Sequence, residues 1–386
     1  GITTLYMLII LLFLVSVFYS IKHKSIGYLS AFHFVCFLAI ALFICNGIDV
    51  QYKANISLPS DTDLYYSAFK ATDDIRNYTF YQYPLALRII SFPVYNSLFA
   101  VWGQCVIIFF LLDIIVKKKE NLIFFVLFHA LIYTTTNLFK DNLILIFSLV
   151  GYILLDKSRR AWIQCIIIFV AISTIAWVRP FIGMALPITF IPFWFKLKSA
   201  TLKQVLLYGS IVAAALVLYE KREFIQGVMD AFADDSSVQE GRASAPVAIV
   251  KVLAGPTPMH YFFADRFFAQ PFLKEQGVFY AILHCCYYAA FAYWMSYLLL
   301  NFKECIRSLK KSVAKCFLLL LACSQLLCYV IIYGSADIRQ RAIIITSLFL
   351  STLIGKELFI RKMNRKQFRI WLFTISLLFI LTIISS

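Results

Sequence analysis

Two apolar runs in the middle of this 386-residue chain are each bounded by cationic clusters and each interrupted halfway by charge. The first lies between KKKE (117–120) and DKSRR (156–160) and carries Lys140-Asp141 at its midpoint. The second lies between DKSRR and KLK (196–198) and carries Arg179-Pro180. Each run is about 35 residues, roughly 52 Å as one helix at ~1.5 Å per residue, longer than a ~30 Å hydrocarbon core is thick. Each is therefore expected to fold back on itself. Two legs of about 17 residues reach only roughly 26 Å, so the charged tips should sit level with or slightly below one membrane surface. Charge held there is costly and by default marks a functional cavity.

The rest of the chain agrees with a membrane setting. Hydrophobic residues make up 62% and charged residues 15%, and the mean hydropathy is +0.82, which argues against a soluble globular domain. Apolar segments read at about 4–20, 27–47, 93–116, 121–138, 142–155, 161–178, 181–195, 204–219, 277–300, 313–333, 342–356 and 370–385. The expected fold class is all-α: a polytopic membrane helical bundle of about twelve transmembrane helices, forming a single integral membrane domain over 1–386. The first segment has neither a basic n-region nor a small-residue cleavage site, so no cleavable signal is expected.

A net charge of +16 raises the question of nucleic acid. If residues 22–24 face the cytoplasm and the helices alternate, the inner segments hold 22 of the 36 Lys and Arg but only 5 of the 20 Asp and Glu. This is the positive-inside distribution, which explains the basic balance without a polyanionic partner and places both termini outside. The ten cysteines show neither metal-ligand spacing with His nor a C-x-x-C, and most fall within apolar segments, as packing residues do. No metal and no cofactor are expected.

Two outer loops, 49–92 and 220–276, are long enough to carry chemistry. The first contains SDTDLYYSAFK (60–70) and Arg88. The second contains Arg242, His260 and Arg266, with an aromatic block (258–272) suited to an interfacial helix or an aromatic belt. His33, His129 and His284 lie in apolar spans and read as core residues, so His260 is the one outer-loop histidine.

The motifs at these places resemble a known group. DTDLYYSAF (61–69), after the second apolar segment, is similar to the G-T-D-x-x-x-Y-x-x-x-F signature of EpsG-like and Wzy-type polysaccharide polymerases. Ser60-Asp61 stands at the place where that motif often opens on Gly. NLFKDNLILIFSL (137–149) and WVRPFIGMALPI (177–188) resemble the middle helices of such polymerases. GSADIRQRAIIITSLF (334–349) is similar to their late loop and to that of other GT-C-type glycosyltransferases. The twin-arginine pattern of many O-antigen polymerase loops is not evident in 220–276.

The resemblance implies a GT-C-like enzyme of the bacterial inner membrane, with its active site facing outward. It would transfer a glycan from undecaprenyl diphosphate to the hydroxyl of an acceptor sugar, and a separate chain-length regulator is a common partner. Fixed cations in a low-dielectric pocket stabilise a departing diphosphate, and arginine's planar fork suits phosphate oxygens. Arg179, Arg339, Arg341 and Lys140 are the candidate clamp. Asp63, Asp61, Asp141 and His260 are the candidate general bases. Tyr66, Arg88, Arg242 and Arg266 are secondary candidates for glycan or lipid contacts.

Each candidate has a structural alternative. Arg179 can end a helix as a snorkelling residue, Lys140-Asp141 can be a local ion pair, and Arg339, Arg341 and Arg88 can be headgroup anchors. A ligase or another polyprenyl-linked transferase shares the chemistry. A flippase for the same lipid-linked sugar is the alternative from another class. Because nearly all the unusual charge lies in the outer half, the residues favour a one-sided enzyme.

Overall fold

The computed structural model describes residues 62–78, 81–116, 121–179, 274–329, 338–354 and 363–384, with isolated positions between 200 and 254. These residues are all-helical, with no strand among them. In chain order they form α1 (Thr62–Lys70), α2 (Gln82–Ser91), α3 (Ser97–Ile115), α4 (Leu122–Leu127), α5 (His129–Thr135), α6 (Asp141–Lys157), α7 (Ala161–Val178), α8 (Lys274–Leu300), α9 (Phe302–Lys311), α10 (Val313–Cys328), α11 (Ile338–Thr352) and α12 (Arg365–Ile384). Among the described residues α7 alone has both the length and the apolarity of a membrane span. Helices α9 and α10 qualify only when taken together, and they are bent by 110° at Ser312.

The chain divides into two compact units, residues 1–142, 257–293 and 359–386 in one and 143–256 and 294–358 in the other. In the first unit α2 lies against α3, where a Cβ on Gly103 would run into the Ile90 side chain. The interior of this unit is aromatic. The Phe128 ring stacks on Tyr287 at 5.0 Å, and Tyr133 meets Tyr280 edge-on at 5.6 Å. The Trp371 indole of α12 donates to the Ala289 carbonyl of α8 at 3.0 Å.

The second unit is built on α6, α7, α10 and α11. Gly151 of α6 lets Ala171 of α7 and Phe317 of α10 close in, since an added Cβ would lie 3.2 and 3.3 Å from them. Trp294 ties the end of α8 to α11 by an indole bond to Thr352 Oγ1 at 2.9 Å and an edge contact with Phe349.

Two sequence expectations change here. Segment 121–138 is two helices rather than one leg, because the extended backbone of Phe128 (φ −78°, ψ 94°) separates α4 from α5. The stretch 49–92, expected as a loop, contains the amphipathic helices α1 and α2. The spans expected at 4–20, 27–47 and 181–195, and nearly all of loop 220–276, lie outside the described residues, and of 204–219 only separate positions are described, each helical.

Candidate functional site

In the first unit the early motif and the first hairpin apex are joined through one buried polar hub. Thr134, Thr135 and Thr136 turn their hydroxyls back onto the carbonyls of Ala130, Leu131 and Ile132 at 2.7, 2.9 and 2.7 Å. Such local bonding competes with helix continuation and ends α5. The carbonyls freed there need donors. Asn137 Nδ2 donates to the Tyr133 carbonyl and Asn142 Nδ2 to the Thr134 carbonyl, both at 2.8 Å. Gln104 Nε2 from α3 donates to the carbonyls of Thr135 and Asn137, each at 2.8 Å. The apex is thus closed by side chains that the sequence places on either side of it.

Tyr83 of α2 completes the hub by donating its hydroxyl to Gln104 Oε1 at 2.8 Å. Burial pushes the Tyr83 phenol well above its ordinary range. Hydrogen bonding with Asn142 and Gln104 opposes that rise, and the charge of Asp141 adds to it. Tyr83 therefore remains a protonated donor.

Tyr65 of α1 rests edge-on against Tyr83 at 5.2 Å. Arg88 of α2 caps the C-terminus of α1, Nε to the Phe69 carbonyl at 3.1 Å and Nη2 to the Ala68 carbonyl at 3.0 Å, with a further bond to Ala71. The helix carrying Asp63 in its first turn is thereby locked to the apex that carries Lys140 and Asp141. Lys140 is 8% exposed and Asp141 fully buried. Asp141 opens α6, where the positive end of the helix favours a carboxylate.

In the second unit Arg179 is the C-terminal cap of α7 and is half-buried. Its guanidinium donates to the Tyr329 hydroxyl, and Cζ lies 5.6 Å from the Tyr329 ring centre. Tyr329 follows α10 and packs with Ala322, Val252 and Ile344 of α11. Gln325 lies one turn before Tyr329, so the two share a helix face. Its side-chain amide is buried with no hydrogen-bond partner among the described residues.

Arg339, Gln340 and Arg341 are all buried in the first turn of α11. At about 100° per residue, Gln340 and Arg341 lie roughly 40° and 60° around the helix from Ile344, which belongs to the same buried cluster as Tyr329, whereas Arg339 lies roughly 140° away. The sequence pattern Arg-x-Arg suggested a joint clamp, but in a helix the two guanidinium groups leave the axis about 200° apart. Arg341 belongs to the side of α11 that carries Ile344.

The remaining candidates are placed differently. Asp61, Arg242, His260 and Arg266, and the side chain of Asp63, lie outside the described residues. Tyr66 is buried with Lys70 Nζ 5.6 Å over its ring. Arg88 is engaged as a helix cap. His129 and His284 are buried in the first unit as expected of core residues, their rings stacked at 3.9 Å. Among the described residues no group of three metal-ligating side chains is assembled.

Four contributors escaped the sequence reading: Tyr83, Gln104, Gln325 and Tyr329. The i, i+4 spacing of Gln325 and Tyr329 in an otherwise apolar helix was the one signal available for any of them. No family model, curated protein or solved structure matches this chain.

Proposed function

We propose that this chain is a polytopic inner-membrane glycosyltransferase of the Wzy/EpsG kind, polymerising lipid-linked repeat units of a surface polysaccharide on the outer face. The observation that carries the reading is the Arg179–Tyr329 pair, with Arg341 on the Ile344 side of α11 and the buried Gln325 amide, unpartnered among the described residues, one helical turn before Tyr329. A phenol that accepts from a guanidinium is a stronger donor through its own O–H. Guanidinium, phenol and amide are each donors that phosphate oxygens accept.

In the reaction the acceptor hydroxyl attacks C1 of the donor glycan, and the bond from C1 to the diphosphate oxygen breaks. The hydroxyl proton passes to a carboxylate, and the lipid diphosphate departs with the added negative charge. Arg179 and Arg341 oppose that charge, an electrostatic contribution that is largest in a water-poor site. Asp63, on a helix fixed by Tyr65 and Arg88, is the candidate base that the early motif supplies, whereas Asp141 is sealed inside the hub. One base and one leaving-group clamp imply inversion at C1. An O-antigen ligase would use the same clamp with a different acceptor.

The test uses purified full-length protein with a synthetic polyprenyl-diphosphate oligosaccharide repeat, in the presence of EDTA, followed by a gel. A ladder of glycan lengths that disappears in Arg179→Ala at equal protein level is the expected result. Absence of any ladder, together with transbilayer movement of the lipid-linked sugar in proteoliposomes, would replace the polymerase with a flippase.

A further inference from the structure

The second unit carries a feature that the transfer reaction does not use. Helix α9, FKECIRSLKK, is strongly amphipathic and turns by 110° into the apolar α10. If α10 runs across a bilayer, α9 lies close to the membrane plane. At about 100° per residue, Phe302, Cys305, Ile306 and Leu309 occupy one side, and Lys303, Arg307, Lys310 and Lys311 fall within roughly 100° of arc on the next.

The protein covers only part of the apolar side. Cys305 is buried with its thiol toward the Thr352 carbonyl of α11 at 3.7 Å, while Phe302 and Ile306 are exposed, Phe302 at 60%. These two exposed residues adjoin the basic arc. Apolar side chains bordered by cations on an in-plane helix are the pattern of a surface that rests among charged lipid headgroups.

An adjoining cavity of about 380 Å³ lies where α9 ends and the 156–160 turn passes. It is lined by Ser158, Arg159, Gln164, Lys311 and Ser312, with Asp156 as its one acid. Gln164 Nε2 donates to the Ser158 carbonyl at 2.7 Å and holds the turn closed. The positive-inside distribution puts this end of the unit on the cytoplasmic side, opposite the proposed transfer site.

We propose that α9 and the Arg159–Lys311 cavity form a seat for anionic phospholipid of the cytoplasmic leaflet. Acyl chains lie under Phe302 and Ile306, phosphates lie along Lys303, Arg307 and Lys310, and one headgroup enters the cavity. Both cavity cations are solvent-exposed, so neutralising them leaves the packed interior untouched. The seat rests on the membrane placement of the chain and not on glycosyl transfer.

The experiment compares spin-labelled phosphatidylglycerol with spin-labelled phosphatidylcholine on full-length protein in vesicles, reading the motionally restricted fraction. The parent is expected to restrict phosphatidylglycerol preferentially. The double variant Arg159→Gln/Lys311→Gln lowers that preference, by up to about fivefold per cation removed, and Arg159→Lys/Lys311→Arg retains it. Equal restriction of the two lipids by the parent, or a preference untouched in the Gln double variant, overturns the seat alone. A chain that fails to float with vesicles at all overturns the membrane placement, and the transferase reading with it.

Discussion

The two charged interruptions, Lys140-Asp141 and Arg179, look alike in sequence and differ in the partners the structure gives them. Lys140-Asp141 is enclosed by a hub in which Tyr83, Gln104, Asn137 and Asn142 satisfy the reversing backbone. Arg179 ends its helix half-buried, and its guanidinium donates to a side chain, the Tyr329 hydroxyl. A charge at the tip of an apolar hairpin therefore signals that something polar is needed there, and the partners decide whether that need is architectural or chemical. Where side chains are aimed at backbone carbonyls the apex is scaffold. Where a guanidinium meets a phenol, as at Arg179 and Tyr329, the pair has donors to offer the anion proposed above.

That contrast yields separable expectations. Asp63→Asn should lower turnover by about 10² to 10⁴-fold with carrier binding unchanged, as loss of a general base does. Turnover close to the parent's would return the role of base to another carboxylate. Arg179→Ala should cost about 10² to 10³-fold in turnover, and Arg179→Lys should rescue little of it, since an ammonium lacks the planar fork. Full rescue by lysine would reduce Arg179 to a simple headgroup anchor.

The enclosed apex should respond in stability instead. Tyr83→Phe leaves the buried Gln104 Oε1 without this donor, and a loss of about 1 to 3 kcal/mol is expected in thermal unfolding of the detergent-solubilised protein. The pH dependence follows from the raised Tyr83 pKa. The stabilising contribution is full below the unfolded phenol's value of 10.0 and drains away as pH rises above it, because the unfolded chain can release a proton that the folded chain retains. The steepness of alkaline destabilisation should therefore lessen in Tyr83→Phe. Asp141→Asn removes a carboxylate from the positive end of α6 at a cost of about 1 kcal/mol, with turnover within a few-fold of the parent. A hundredfold drop in turnover at unchanged stability would erase the distinction between the two apices.

What the residues revealed in advance depended on range. Helix α7 was read at 161–178, the same bounds that the structure gives, because a long run of Ile, Val, Ala and Trp between a basic turn and Arg-Pro leaves no other choice. Helix α8 was read at 277–300 and begins three residues earlier. The break at Phe128 was not legible, since no Pro or Gly marks it and the stacking partner Tyr287 is distant in sequence. Helices α1 and α2 were read as loop because their burial comes from each other, through Tyr65, Tyr83 and the Arg88 cap. Arg179 could be singled out from its place before Pro180, but Tyr329 lies 150 residues away, and no local pattern announces such a partner. Arg-x-Arg was read as a pair, and the early start of α11 separates its members.

That separation supplies the most direct test of the proposed clamp. Binding of sugar-free polyprenyl diphosphate would be measured on full-length protein in lipid nanodiscs, for the parent and for Arg179→Ala, Arg341→Ala and Arg339→Ala. Affinity should fall at least tenfold in the first two variants and stay near the parent's in Arg339→Ala, which lies roughly 140° around α11 from Ile344. Equal losses at 339 and 341, or no loss at 179, would contradict a diphosphate clamp assembled around Arg179 and Tyr329.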